Sequence, residues 1–174
     1  MKENSIVRSE AGRAEILLAP GVILHLGENG SFRMVANRAS DTRIEILTGS
    51  AIVRTDDNAK DTNPFKRVLA GRVTAVCENA VTLSNFGVYR FDAQRIVLPN
   101  REDYTYCRFR VYKGTATAQL ASVNAVVMSG ETMYLNRACG DRIQVNEFDI
   151  GDAGDLDYRV RLLRDGLSAG AERE

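Results

Sequence analysis

Apolar residues recur at every second position through most of this chain. Between Arg13 and Leu26 they fall at Ala14, Ile16 and Leu18, then at Val22, Leu24 and Leu26, which is the period of half-buried β-strands. Pro20-Gly21 between the two runs predicts a hairpin with a type II turn, because proline presets φ and glycine accepts the positive φ that follows. Gly27-Glu28-Asn29-Gly30 predicts a second turn and Phe32-Arg33-Met34-Val35 a third strand. Ile44 and Ile46 then lead through Leu47-Thr48-Gly49-Ser50 to Ala51 and Val53, with Gly49 placed where a strand bends or bulges. Further along, Val73, Ala75 and Cys77 turn at Glu78-Asn79 and return through Val81 and Leu83. Ser84-Asn85-Phe86-Gly87 predicts a hairpin corner before Tyr89 and Phe91, and a last hairpin over residues 123–135 turns at Ser129-Gly130. The period changes only near the end. Leu156, Val160 and Leu163 sit at i, i+4, i+7 in a segment with acids first and an arginine and a glycine last, which predicts a short amphipathic helix.

The pattern also repeats. Leu47-Thr48-Gly49-Ser50-Ala51-Ile52-Val53 has a near copy in Val111-Tyr112-Lys113-Gly114-Thr115-Ala116-Thr117, a separation of 65 residues from Gly49 to Gly114. The same offset carries Leu18, Leu24 and Leu26 onto Leu83, Tyr89 and Phe91. The expectation is an all-β protein of two β repeats forming a sandwich or short solenoid, residues 1–60 and 61–151, followed by a helix and tail over 152–174. The polar stretch ending in Pro64 marks the boundary. Leu24, Leu26, Ile44, Ile46, Tyr89, Phe91, Phe109 and Val111 are the expected core.

Charge and composition narrow the function. Basic and acidic side chains number 23 each and cancel, so no global field holds a nucleic-acid backbone or an anionic membrane. No apolar run reaches the roughly 18 residues of a membrane span, and no secretory apolar core follows Met1. The chain is expected to be cytosolic if Met1 is its native start, or a mature chain whose signal was removed. Cys77, Cys107 and Cys139 cannot all pair within one chain, and their spacing matches no CxxC signature. Cys107 falls on an apolar strand face and reads as a small buried hydrophobe, with a Cys77 to Cys107 disulfide as the alternative in an oxidising compartment.

Catalytic chemistry finds little to work with. The single histidine, His25, lies between Leu24 and Leu26 and so faces the opposite, solvated side, where one imidazole makes neither a metal site nor a triad. Gly27-Glu28-Asn29-Gly30 lacks the lysine and helix of a phosphate loop. No cofactor and no metal are expected, and the chain reads as a non-enzyme; a hydrolase or metal enzyme built on carboxylates is the runner-up. The unusual feature is one strand, on which Tyr104, Tyr106, Arg108, Arg110 and Tyr112 share a side opposite Thr105, Cys107, Phe109 and Val111. Tyrosine and arginine supply stacking and bidentate contacts to carboxylates, sugars or proteins. This stripe is the expected binding face, against the plainer reading of a solvated strand held by cation–π and cross-strand pairs.

Residues 12–34, GRAEILLAPGVILHLGENGSFRM, with 41–53, DTRIEILTGSAIV, resemble the FecR-type domain. Gly87-Val88-Tyr89-Arg90-Phe91-Asp92-Ala93 and Arg110-Val111-Tyr112-Lys113-Gly114-Thr115-Ala116 are similar to envelope proteins built on it, and the resemblance spans about residues 12 to 165. It implies a β-rich module of the bacterial envelope, periplasmic or extracellular, that binds a protein or glycan partner. The best-known members relay signals from outer-membrane transporters to a sigma factor; this sequence departs from them in having neither a transmembrane helix nor an N-terminal cytoplasmic segment. The resemblance supplies no catalytic residues.

Overall fold

A computed structural model of the chain describes residues 1–55, 71–96, 99, 104–120, 124–135 and 145–147. The expected C-terminal helix, the polar boundary segment beyond Thr55 and Cys139 lie outside the described residues. Within them the alternating pattern has become strands: β1 (Ile6–Arg8), β2 (Ala14–Ala19), β3 (Val22–Leu26), β4 (Ser31–Arg38), β5 (Asp41–Thr55), β6 (Arg72–Cys77), β7 (Asn79–Leu83), β8 (Gly87–Ile96), β9 (Tyr104–Lys113), β10 (Thr115–Gln119), β11 (Asn124–Met128), β12 (Glu131–Leu135) and β13 (Val145–Glu147). The described residues are all-β, as their periodicity predicts.

The strand β5 organises the rest. Its first part pairs antiparallel with β4 and parallel with β6, and its second part pairs antiparallel with β3 and β8. One strand therefore belongs to two layers. The first layer runs β1-β4-β5-β6-β7-β10-β11 and the second β2-β3-β5-β8-β9-β12-β13, together a nearly closed, barrel-like sheet. The change of layer falls at Gly49, which has φ +75° and would place a Cβ 2.7 Å from the Gly30 Cα, so a side chain there would meet backbone.

Turns sort into two kinds. Pro20-Gly21 and Glu78 close hairpins within a layer, β2–β3 and β6–β7, with Gly21 and Glu78 both at positive φ. The corners at Ser84-Asn85-Phe86-Gly87 and Ser129-Gly130, expected as hairpins, instead carry the chain across. The strand β7 pairs β6 and β10 whereas β8 pairs β5 and β9, and β11 pairs β10 whereas β12 pairs β9. A short glycine turn looks the same in sequence whether the next strand pairs with its predecessor or faces it across the core. Only long-range pairing distinguishes them.

The inward faces of both layers build one core. Cross-strand rows run Leu24, Val53, Tyr89, Val111 and Leu26, Ala51, Phe91, Phe109, Met133 through the second layer. Phe32, Met34, Ile44, Val73 and Val81 face them from the first. Every expected core residue is buried. Phe109 stacks on Phe91 at 4.7 Å and on Tyr89 at 6.4 Å between ring centroids. The Tyr89 hydroxyl lies 2.8 Å from Ser84 Oγ and donates toward the carbonyl oxygens of Thr115 and Ser84, at 2.9 and 3.0 Å. Cys77 on β6 and Cys107 on β9 form a disulfide, with Cα atoms 5.9 Å apart, that ties the two layers through the core.

Candidate binding face

Strand alternation on β8 and β9 leaves one face for the core and one outside it. The outer residues of β8 are Arg90, Asp92 and Gln94; those of β9 are Tyr106, Arg108, Arg110 and Tyr112. The antiparallel register sets Arg90 opposite Arg110, Asp92 opposite Arg108 and Gln94 opposite Tyr106. Two arginines facing each other repel. Asp92 resolves this: Oδ1 accepts from Arg90 Nε at 2.9 Å and from Ser50 Oγ at 2.6 Å, and Oδ2 accepts from Arg110 Nη2 at 3.1 Å. Arg108 approaches the same Oδ2 through Nε and Nη2, both at 3.4 Å.

The centre is deeply placed for an outer face. The side chains of Asp92, Arg90 and Arg110 are 5%, 10% and 12% exposed, while that of Arg108 is 39% exposed. Burial penalises the Asp92 charge, but Arg90, the Ser50 hydroxyl and Arg110 outweigh it, and the carboxyl is held below its ordinary value. Burial likewise opposes the charge on Arg90, yet Asp92 and the neighbouring Tyr112 more than compensate and raise its pKa. Asp92 and Arg90 are thus both ionised near neutral pH. Asp92 is the only carboxylate among the buried described residues; saturated by cations, it is a weak base, and what it does is hold guanidinium groups in place.

The expected stripe divides accordingly. Tyr112 is buried, with the Arg110 guanidinium carbon 5.9 Å from its ring centroid. The Tyr106 hydroxyl donates to Gln94 Oε1. Tyr104 opens β9 opposite Ile96, and its side chain lies outside the described residues. Arg108 is half-exposed and has Tyr134 of β12, 36% exposed, directly across from it. Arg90, Asp92 and Ser50 were not anticipated in the sequence. The alternation Tyr89-Arg90-Phe91-Asp92 carried the signal for the first two, since core aromatics at alternate positions put an arginine and an aspartate on the other face. Ser50, 42 positions from Asp92, had none.

His25 needs correcting. It does face away from Leu24 and Leu26, but that face is not solvated at this point: His25 is 7% exposed, with Nδ1 3.3 Å from Glu15 Oε2 on the paired strand β2. The outer face continues across Ile52, which is fully buried, to Arg90. A second feature is a polar depression of about 430 Å³ beside Ser9, Asn29, Ser31 and Thr48. Its hydroxyls bind one another and nearby backbone: Ser31 and Thr48 are 2.7 Å apart, and the Ser9 Oγ accepts from Gly30 N at 3.0 Å. Among the described residues no three His, Cys, Asp or Glu side chains gather to hold a metal ion, and no helix is long and apolar enough to cross a membrane.

No family model and no curated protein matches this chain. Its fold is similar to two crystal structures of a "putative anti-sigma factor" from Parabacteroides distasonis, at 2.50 and 1.65 Å resolution. Each aligns with a TM-score of 0.58 at 13% identity over 83% of this chain. The chain spans 60% of the length of those structures. At that identity the likeness is one of fold.

Proposed function

We propose that this chain is a non-enzymatic interaction module of the bacterial envelope, built of two FecR-like β repeats, that engages a protein or glycan partner through the outer face of β9. The observation that carries the reading is the graded exposure along one cationic row. Arg90 and Arg110 are committed to Asp92, while Arg108 is presented to solvent on the platform they make.

Other features support the finer parts. The buried disulfide between layers fits an oxidising compartment, periplasmic or extracellular. Gly49 and Gly114 both take positive φ at a change of layer, and each lies against a second glycine, Gly30 or Gly87, which supports a repeated unit. The fold-level likeness to a "putative anti-sigma factor" fits a partner-binding role.

The test replaces Tyr106 and Arg108 together by alanine and compares partner capture from an envelope extract with the melting temperature. Capture lost at unchanged melting temperature supports the reading. Capture retained by the double variant refutes the face.

A further inference from the structure

The cationic row limits what can dock on it. Three guanidinium groups, of Arg90, Arg108 and Arg110, converge on a single carboxylate. The two deeper ones make contacts of ordinary charge-assisted length, 2.9 and 3.1 Å. Arg108 does not: both of its contacts are 3.4 Å, longer than such bonds normally run, and both fall on an Oδ2 already taken by Arg110. A guanidinium has five N–H donors in a planar fork, so two long contacts leave most of the Arg108 hydrogen-bonding capacity directed elsewhere.

We infer that Arg108, with Tyr134 beside it, is the docking point for a carboxylate side chain of an acidic protein segment. Asp92 shows that the site already takes a carboxylate, and an incoming one repeats the contact from the solvent side. The inference rests on the binding reading above and specifies the partner's chemistry. Three features of the site favour an acidic peptide over a neutral or basic one. The half-exposed Arg108 guanidinium puts positive charge at the solvent edge of the cluster, where it attracts an anion. The Arg108 fork matches a carboxylate in two parallel bonds. Tyr134, 36% exposed and opposite Arg108 in the β9–β12 register, offers a rigid amphipathic surface for the segment that bears the acid. Asp92 is a positioning residue here: it fixes Arg110 and Arg90 behind Arg108 and does not itself touch the partner.

The experiment uses the full chain and a defined probe, a fluorescent decaglutamate peptide, titrated at low salt beside a decaglutamine control and a heparin-type sulfated oligosaccharide. Decaglutamate is expected to bind, decaglutamine not to bind, and binding to weaken steeply as salt rises. Arg108→Ala is expected to weaken binding about tenfold or more, Arg108→Lys to restore only part of it because an ammonium lacks the fork, and Tyr134→Ala to weaken it less. Absence of decaglutamate binding, equal binding of decaglutamine, or binding of the sulfated sugar alone overturns the inference, as does an Arg108→Ala protein that binds as the parent does. Competition separates this claim from the broader one. Capture that depends on Tyr106 and Arg108 but is not displaced by decaglutamate defeats the acidic partner and leaves the binding face standing. Capture indifferent to both residues defeats both.

Discussion

The two faces of β8 and β9 share one backbone ladder and differ in everything that stabilises them. Tyr89, Phe91, Phe109 and Val111 face the core, where burial of apolar area is favourable in any well-packed arrangement. Arg90, Asp92, Arg108 and Arg110 lie on the other side, where burial is favourable only if each charge meets its counterpart. The apolar face tolerates an approximate fit, and the polar face does not. A nearly buried charged row on an outer face is therefore a specific construction, and its one half-exposed member, Arg108, is where that construction meets solvent.

Substitutions can test the contrast from its strongest side downward. Phe109→Ala should cost about 3 to 5 kcal/mol, because it empties the centre of the stacked aromatic row; urea denaturation measures it, and a loss below about 1 kcal/mol would show that the row is not the core. Replacing Cys77 and Cys107 by alanine opens a link between residues 30 apart and should cost about 3 to 4 kcal/mol by loop-closure entropy. The same denaturation with and without reductant should reproduce that difference in the parent protein. Asp92→Asn should cost about 3 kcal/mol, since it removes the buried carboxylate charge that Arg90 and Arg110 share while the overall shape is kept.

Asp92 also sets a pH dependence. Its folded pKa lies below the ordinary 3.8, so its contribution is complete above that value and is lost only as pH falls below it toward the depressed folded value. The parent should lose stability along that acid limb, and Asp92→Asn should flatten it. An identical acid limb in both proteins would show that other carboxylates carry the effect.

Much of this was legible in the sequence. Period-two alternation located strands from β2 to β12 and the core residues on them, and Pro20-Gly21 and Glu78-Asn79 marked true hairpins. Alternation states which residues share a face; it does not state what lies over that face. That is why His25 was assigned to the correct side but to solvent, and why the tyrosines and arginines of β9 looked equivalent although Tyr112 is buried and Arg108 is not. The sharing of β5 between layers, its parallel pairing with β6 and the reach of Ser50 to Asp92 depend on contacts distant in sequence, and no local pattern encodes them. The disulfide was one of two readings open for Cys107. Both proved compatible, since Cys107 is bonded to Cys77 and fully buried.

The sharpest test compares two arginines on the same strand, face and cluster. Arg110→Ala and Arg108→Ala would be melted side by side and titrated with decaglutamate under the same low-salt conditions. The account predicts that Arg110→Ala lowers the melting temperature by several degrees, as loss of a buried partner of Asp92 requires, whereas Arg108→Ala changes stability by under about 1 kcal/mol and removes most of the binding. Equal destabilisation by the two, or binding untouched by Arg108→Ala, would mean that the whole row holds the fold and none of it is offered to a partner.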